Sequence, residues 1–197
     1  MLDAPDSIDF KVVTMDWVKE NWGRKSSEAE IEEVRLEEEI YKALYIIPRN
    51  FSLVEIKVQQ AGTIMAAVAG DTVYFVMEYF DPFDEENSEE LLAHEITHIL
   101  QGLNFRIEEP GESDAKQAKN ALVEGDAEFT KESYILYKFK RDVKPSFFLP
   151  SGNGTLRDSD ALWQLWVAPG IYGREFIKEL YAAGGWDAVN GAYHRMP

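Results

Sequence analysis

Two of the chain's three histidines lie four residues apart, in His94-Glu95-Ile96-Thr97-His98, within the run LLAHEITHILQ. The apolar residues Leu91, Leu92, Ile96, Ile99 and Leu100 give this run the seat of a helix. On a helix the two histidines stand about 6 Å apart along the axis and on nearly the same face, so both imidazoles can converge on one metal ion. Glu95, offset by one residue, makes a poor third ligand and a good base for water activated at that ion and attacking a carbonyl. The bland alternative is a helix with two ordinary histidines, but a chance HExxH in a chain of this length is expected only at roughly the 1% level or below, and more rarely on a credible helix.

A catalytic zinc ion takes three protein ligands and keeps one position open, so the pair calls for a third donor elsewhere. Cysteine is absent, and the one spare histidine, His194, lies near the end of the chain. Glu124, 26 residues after His98, falls in the next long helical segment. Helices joined by a short loop pack antiparallel, and Gly125 would remove a side chain where the two backbones approach. Glu124 is therefore the expected third ligand, and two histidines with one carboxylate leave the ion net positive charge to acidify water. Glu128, one turn on, shares the face of Glu124 and could accept the far ring proton of a ligating histidine; Asp126, on another face, is its rival. The plain reading of both acids is a solvated helix surface. Tyr134, Tyr172, Arg174 and His194 are candidates for stabilising charge on a reacting carbonyl oxygen. Tyr172, beside Pro169-Gly170, is preferred, although Trp163, Trp166, Phe176 and Trp186 read first as an aromatic core wall. Asn104-Phe105 could shape a cleft.

These residues need elements to hold them. Residues 10–18 read as a short extended piece or a helix start, and Ser27 with Glu30 forms the signature of a capping box opening a helix through Ile47, ahead of Pro48. Residues 51–58 alternate as a strand does, and TVYFVME over 72–78 follows the turn signal Gly70-Asp71, so an antiparallel pair is expected. The run GTIMAAVAG between them fits either a strand or a buried turn. Asn87 with Glu90 can open the histidine helix, which Gly102 would end. Asp114 with Gln117 opens a helix to about Tyr137. A third helical stretch starts near Asp158, breaks at Pro169-Gly170, resumes over 172–182 and stops at Gly184-Gly185 before a last piece over 186–192. The expected class is α+β, mostly helical, with a small antiparallel sheet preceding the histidine helix.

Size and charge bound what such a fold does. At 197 residues with 45% hydrophobic side chains, the chain suits one domain spanning 1–197 with a sizeable core. Its 36 acidic against 20 basic residues, a formal charge of -16, repel nucleic-acid phosphates and anionic lipid. Neither nucleic acid nor a membrane is an expected partner; a peptide or protein substrate is. No apolar run approaches membrane-spanning length, and the start MLDAPDSIDF is acidic where a signal peptide would be basic. Lack of cysteine favours the cytoplasm without excluding an exported or membrane-tethered parent. The end, AAGGWDAVNGAYHRMP, stops just after a helical-looking run and is compatible with a domain trimmed from a longer parent.

With HEITH and ALVEGDAEF together, the chain resembles the gluzincin group of zinc metallopeptidases, in which a glutamate from the following helix completes the motif. It is similar in particular to a poorly characterised family of bacterial and archaeal zinc proteases, through YKALYIIP, AHEITHILQ, SDAKQAKNALVEGDA, IYGREFIKEL and GGWDAVNGAYHRMP, over approximately residues 40–197. The resemblance implies a zincin-like fold, one catalytic zinc held by His94, His98 and Glu124, and Glu95 as base. The same four residues follow from spacing. Members often carry Gly-Phe-Tyr where this chain has the stretch Met65 to Val68, and Pro-Tyr where it has Pro169-Gly170. Three functions are thus expected: a zinc-dependent peptidase cutting inside chains, a zinc-stabilised interaction module without turnover, or a zinc hydrolase of a non-peptide amide.

Overall fold

The computed structural model describes residues 2–22, 27–54, 66–108, 110, 113–140 and 160–195. In chain order these form β1 (Asp9–Val13), α1 (Met15–Asn21), α2 (Glu28–Ala43), β2 (Ala66–Ala69), β3 (Thr72–Val76), α3 (Glu85–Asn104), α4 (Ser113–Phe139) and α5 (Asp160–Tyr193). The class is α+β and mostly helical, as expected. No helix among the described residues is long and apolar enough to cross a membrane.

The sheet differs from the expectation in both composition and direction. Its order is β1-β3-β2, with β2 antiparallel and β1 parallel to β3, so it is mixed. The antiparallel partner of β3 is Ala66–Ala69, from the small apolar run, turned back by Gly70 at φ +62. A two-residue turn with positive φ joins strands only in antiparallel fashion. β1 reaches β3 after a long excursion through α1 and α2, which frees it to run parallel. The strand expected over 51–58 is not formed at its start: Leu53 and Val54 are helical, and residues 55–58 lie outside the described residues. The extended and helical readings of 10–18 are both realised, as β1 followed by α1.

Alternation along β3 sorts its side chains between two partners. Val73 and Phe75 pack against Leu91 and Ile99 of α3, with Ala66 and Val68 alongside. Tyr74, on the other face, stacks on Trp17 at 5.4 Å between ring centroids and meets Trp22 edge-on. The sheet is thus the bed on which the histidine helix lies. The capping box at Ser27 and Glu30 is formed, but α2 ends at Ala43, four residues short of the expected Ile47, where Tyr45 takes φ 58. α3 starts two residues before Asn87, on an Asp84 cap that accepts from the Asn87 N–H, and runs through Gly102 to Asn104.

The last helix also departs from expectation. Pro169 lies inside α5 and does not break it; the break falls at Gly184 and at Gly185, whose φ 63 and ψ -157 are open essentially to glycine alone. Beyond that kink the chain folds back so that Val189 and Tyr193 join Phe105, Leu122, Phe129 and Ile177 in the main core. The expected aromatic wall is only partly a wall: Phe176 is half exposed and Trp186 nearly so, while the side chains of Trp163 and Trp166 lie outside the described residues.

Gly125 does relieve a close approach, though to a different helix from the one expected. A Cβ on Gly125 would lie 2.2 Å from the Gly173 carbonyl carbon, and one on Gly173 would lie 2.0 Å from the Ala121 carbonyl oxygen. The contact is between α4 and α5, backbone to backbone, one residue from Glu124. Gly173→Ala forces these helices apart and is expected to cost about 3 kcal/mol, as overpacking at a rigid contact does. Urea unfolding of the metal-free protein measures it, and a stability equal to wild type would refute the contact.

Candidate metal centre

α3 and α4 pack against each other and bring together His94, His98 and Glu124 as expected. The two histidine Nε2 atoms are 3.1 Å apart, and the Glu124 Oε2 lies 3.5 Å from that of His94 and 3.7 Å from that of His98. Bonds of 2.0–2.2 Å in tetrahedral geometry place donors about 3.3–3.5 Å from one another, so these separations suit a zinc-sized ion held by all three. The chemistry agrees with the geometry. Burial opposes charge on His94, yet the carboxylates of Glu124 and Glu128 overcome it and push its pKa up to about 9. Burial likewise works against the Glu124 carboxylate, and the two histidines hold its pKa below the usual range nonetheless. A cluster that draws positive charge this strongly, from donors all able to ligate, could hold a metal ion. With 45% of its side chain exposed, against 17% and 21% for the histidines, Glu124 marks the side open to solvent.

The far nitrogens of both rings are also occupied. His94 Nδ1 is 3.1 Å from Glu128 Oε1, and the other oxygen of Glu128 is 2.6 Å from the buried Lys131 ammonium. Burial raises the Glu128 pKa, but His94 and Lys131 outweigh it and keep the group a carboxylate. Of the two readings of Glu128 the solvated surface does not hold: the residue is buried, and its carboxylate meets the far ring nitrogen of His94. His98 Nδ1 is 2.8 Å from Gln101 Oε1, and the Gln101 amide donates to the Val123 carbonyl at 2.9 Å and to Asp126 Oδ2 at 3.0 Å. Asp126 accepts a further bond of 2.7 Å from the Tyr193 hydroxyl. Asp126 thus lies on another face from Glu128, as its spacing indicates, but is buried, and it reaches His98 only through Gln101. Tyr193 is held un-ionised, its pKa raised by burial and by Asp126.

Compared with known proteins, the chain gives no match to any family model, curated protein or solved structure. The site rests on its own geometry.

Glu95 is buried on α3, and burial raises its pKa, countered by His94 and His98 and reinforced by Glu124. The expected charge-stabilising donors each face solvent or engage other partners. Tyr172 is 71% exposed on α5, and Arg174 engages Glu132 and Glu175. Tyr134 donates to Glu89 at 2.6 Å, and the exposed His194 lies edge-on to Phe105. Asn104 bonds the backbone of Asp3 through both its amide atoms, whereas Phe105, buried against Tyr193, does line a cavity, of about 380 Å³, together with Gln101 and Asp126. Gln101, Lys131 and Tyr193 were missed by the sequence reading. Gln101 had a signal in its place three residues after His98 on the same face; Tyr193 had none.

Glu124→Ala is expected to abolish stoichiometric zinc binding, and Glu128→Gln to weaken it about 10–100-fold. Competition against a chromogenic chelator reads both, and wild-type affinity in Glu124→Ala would remove that residue from the ligand set.

Proposed function

We propose that the protein is a zinc-dependent peptidase of the gluzincin kind, with one zinc ion held by His94, His98 and Glu124 and with Glu95 as its general base. The observation that carries this reading is the convergence of three ligating atoms at tetrahedral spacing, next to a buried glutamate that the motif puts one residue from a ligand. Zinc in this position would supply Lewis-acid polarisation of a substrate carbonyl and lower the pKa of water. Glu95 would take the proton from the attacking water and return it to the leaving amine as the peptide bond breaks.

Glu128 and Gln101 would keep both ligand rings turned so that their Nε2 lone pairs face the ion. The exposed side of Glu124 leaves an approach for a substrate chain. Cleavage inside a polypeptide is the mode proposed, since the sequence offers no anchor beside HEITH for a terminal amine or carboxylate.

Metal analysis of the purified protein, with peptide hydrolysis measured before and after chelation, tests the proposal. Activity is expected to vanish on chelation and to return with zinc. Glu95→Gln should retain zinc and lose about 10²–10⁴-fold in turnover. Stoichiometric zinc with no turnover on any peptide would point to an interaction module; turnover of a simple amide but not of peptides would point to a different hydrolase. Protein that stays metal-free under zinc-replete conditions would overturn the reading.

A further inference from the structure

The hydrogens of the Gln101 amide are both committed, one to the Val123 carbonyl and one to Asp126 Oδ2. Neither a carbonyl nor a carboxylate can donate, so turning the amide over would set its oxygen against two acceptors. Its Oε1 must therefore face His98, and it can only accept there. His98 Nδ1 must then carry the proton, which leaves the Nε2 lone pair directed at Glu124 and His94. Packing alone does not impose this, because Gln101 borders a cavity of about 380 Å³, also edged by Thr97, Asp126, Thr130 and Trp186. Asp126 is fixed in turn by the Tyr193 hydroxyl, and the Tyr193 ring stacks on Phe105 at 4.1 Å with 7° between planes.

We infer that Gln101 is a positioning residue for His98, and that Asp126 and Tyr193 hold it in the one amide orientation that frees His98 Nε2 for the metal. This rests on the metal-centre reading above and extends it to the last turn of α5, beyond the Gly184-Gly185 kink. The two histidines are oriented by unlike partners: His94 by a carboxylate backed with a lysine, His98 by a neutral amide whose sense is set from the far end of the chain. Linkage makes the coupling mutual, so a metal that favours the aligned His98 also favours the docked position of Tyr193.

Zinc affinity by chelator competition, the visible spectrum of the cobalt-substituted protein and thermal unfolding of the metal-free protein form the test, on wild type, Gln101→Leu and Tyr193→Phe. Gln101→Leu is expected to weaken zinc about 10–100-fold and to alter the cobalt bands. Tyr193→Phe, which removes one hydroxyl, is expected to weaken zinc about fivefold. Should Gln101→Leu fail to fold, Tyr193→Phe decides the matter alone. Variants that lose metal-free stability yet keep wild-type zinc affinity and cobalt bands would show a merely structural role and overturn the inference, leaving the metal centre intact. Wild-type protein that binds no zinc would overturn both.

Discussion

Two helices that turn acceptor atoms toward each other repel unless something positive lies between them or something else clamps them together. α3 presents two imidazoles and α4 two glutamates across one gap, and both devices are visible. At one end of the antiparallel pair, Tyr134 and Lys138 of α4 hold Glu89 of α3. At the other, Gln101 of α3 bonds Val123 and Asp126 of α4. The histidine–glutamate group sits between these clamps, so the helices cannot relax apart to relieve the crowding. The crowding bears on protonation instead, which is why the His94 pKa is pushed up to about 9 by Glu124 and Glu128 despite its burial.

α5 makes the clamp rigid from behind. Its backbone lies directly on that of α4 at Gly125 and Gly173, so α4 has the sheet-borne α3 on one side and a helix without intervening side chains on the other. Glu124 inherits its place from that contact, one residue away. The overall charge of -16 adds a broad field favouring cations, but it is the local pair of carboxylates that localises the demand.

Much of the site was legible because helical spacing is local arithmetic. His94, His98, Glu124 and Glu128 each follow from a period of three to four residues once two helices are granted. The capping box at Ser27 was readable for the same reason. What escaped notice depends on residues far apart in the chain. β1 pairs with β3 across 63 positions, and no pattern in Asp9–Val13 declares a parallel partner. Ala66–Ala69 has weak strand propensity and becomes a strand because Gly70 turns it onto β3. Pro169 reads as a helix stop, yet the helix continues through it, tertiary context prevailing over local preference. Gln101 looked like the end of a helix, and its meaning came only with Asp126 and Tyr193.

The distribution of contacts along the chain bears on the order in which this molecule assembles. Every proposed ligand and Glu128 lie between residues 94 and 128, in one helical hairpin, while the β2–β3 turn needs only a few residues to close. Such contacts carry little loop-closure cost and form early. The parallel seam of β1 with β3 and the bond between Asp3 and Asn104, 101 positions apart, close far longer loops. The histidine–glutamate hairpin can therefore take shape while the N-terminal strand is still loose, and contact order places the β1–β3 pairing among the later steps.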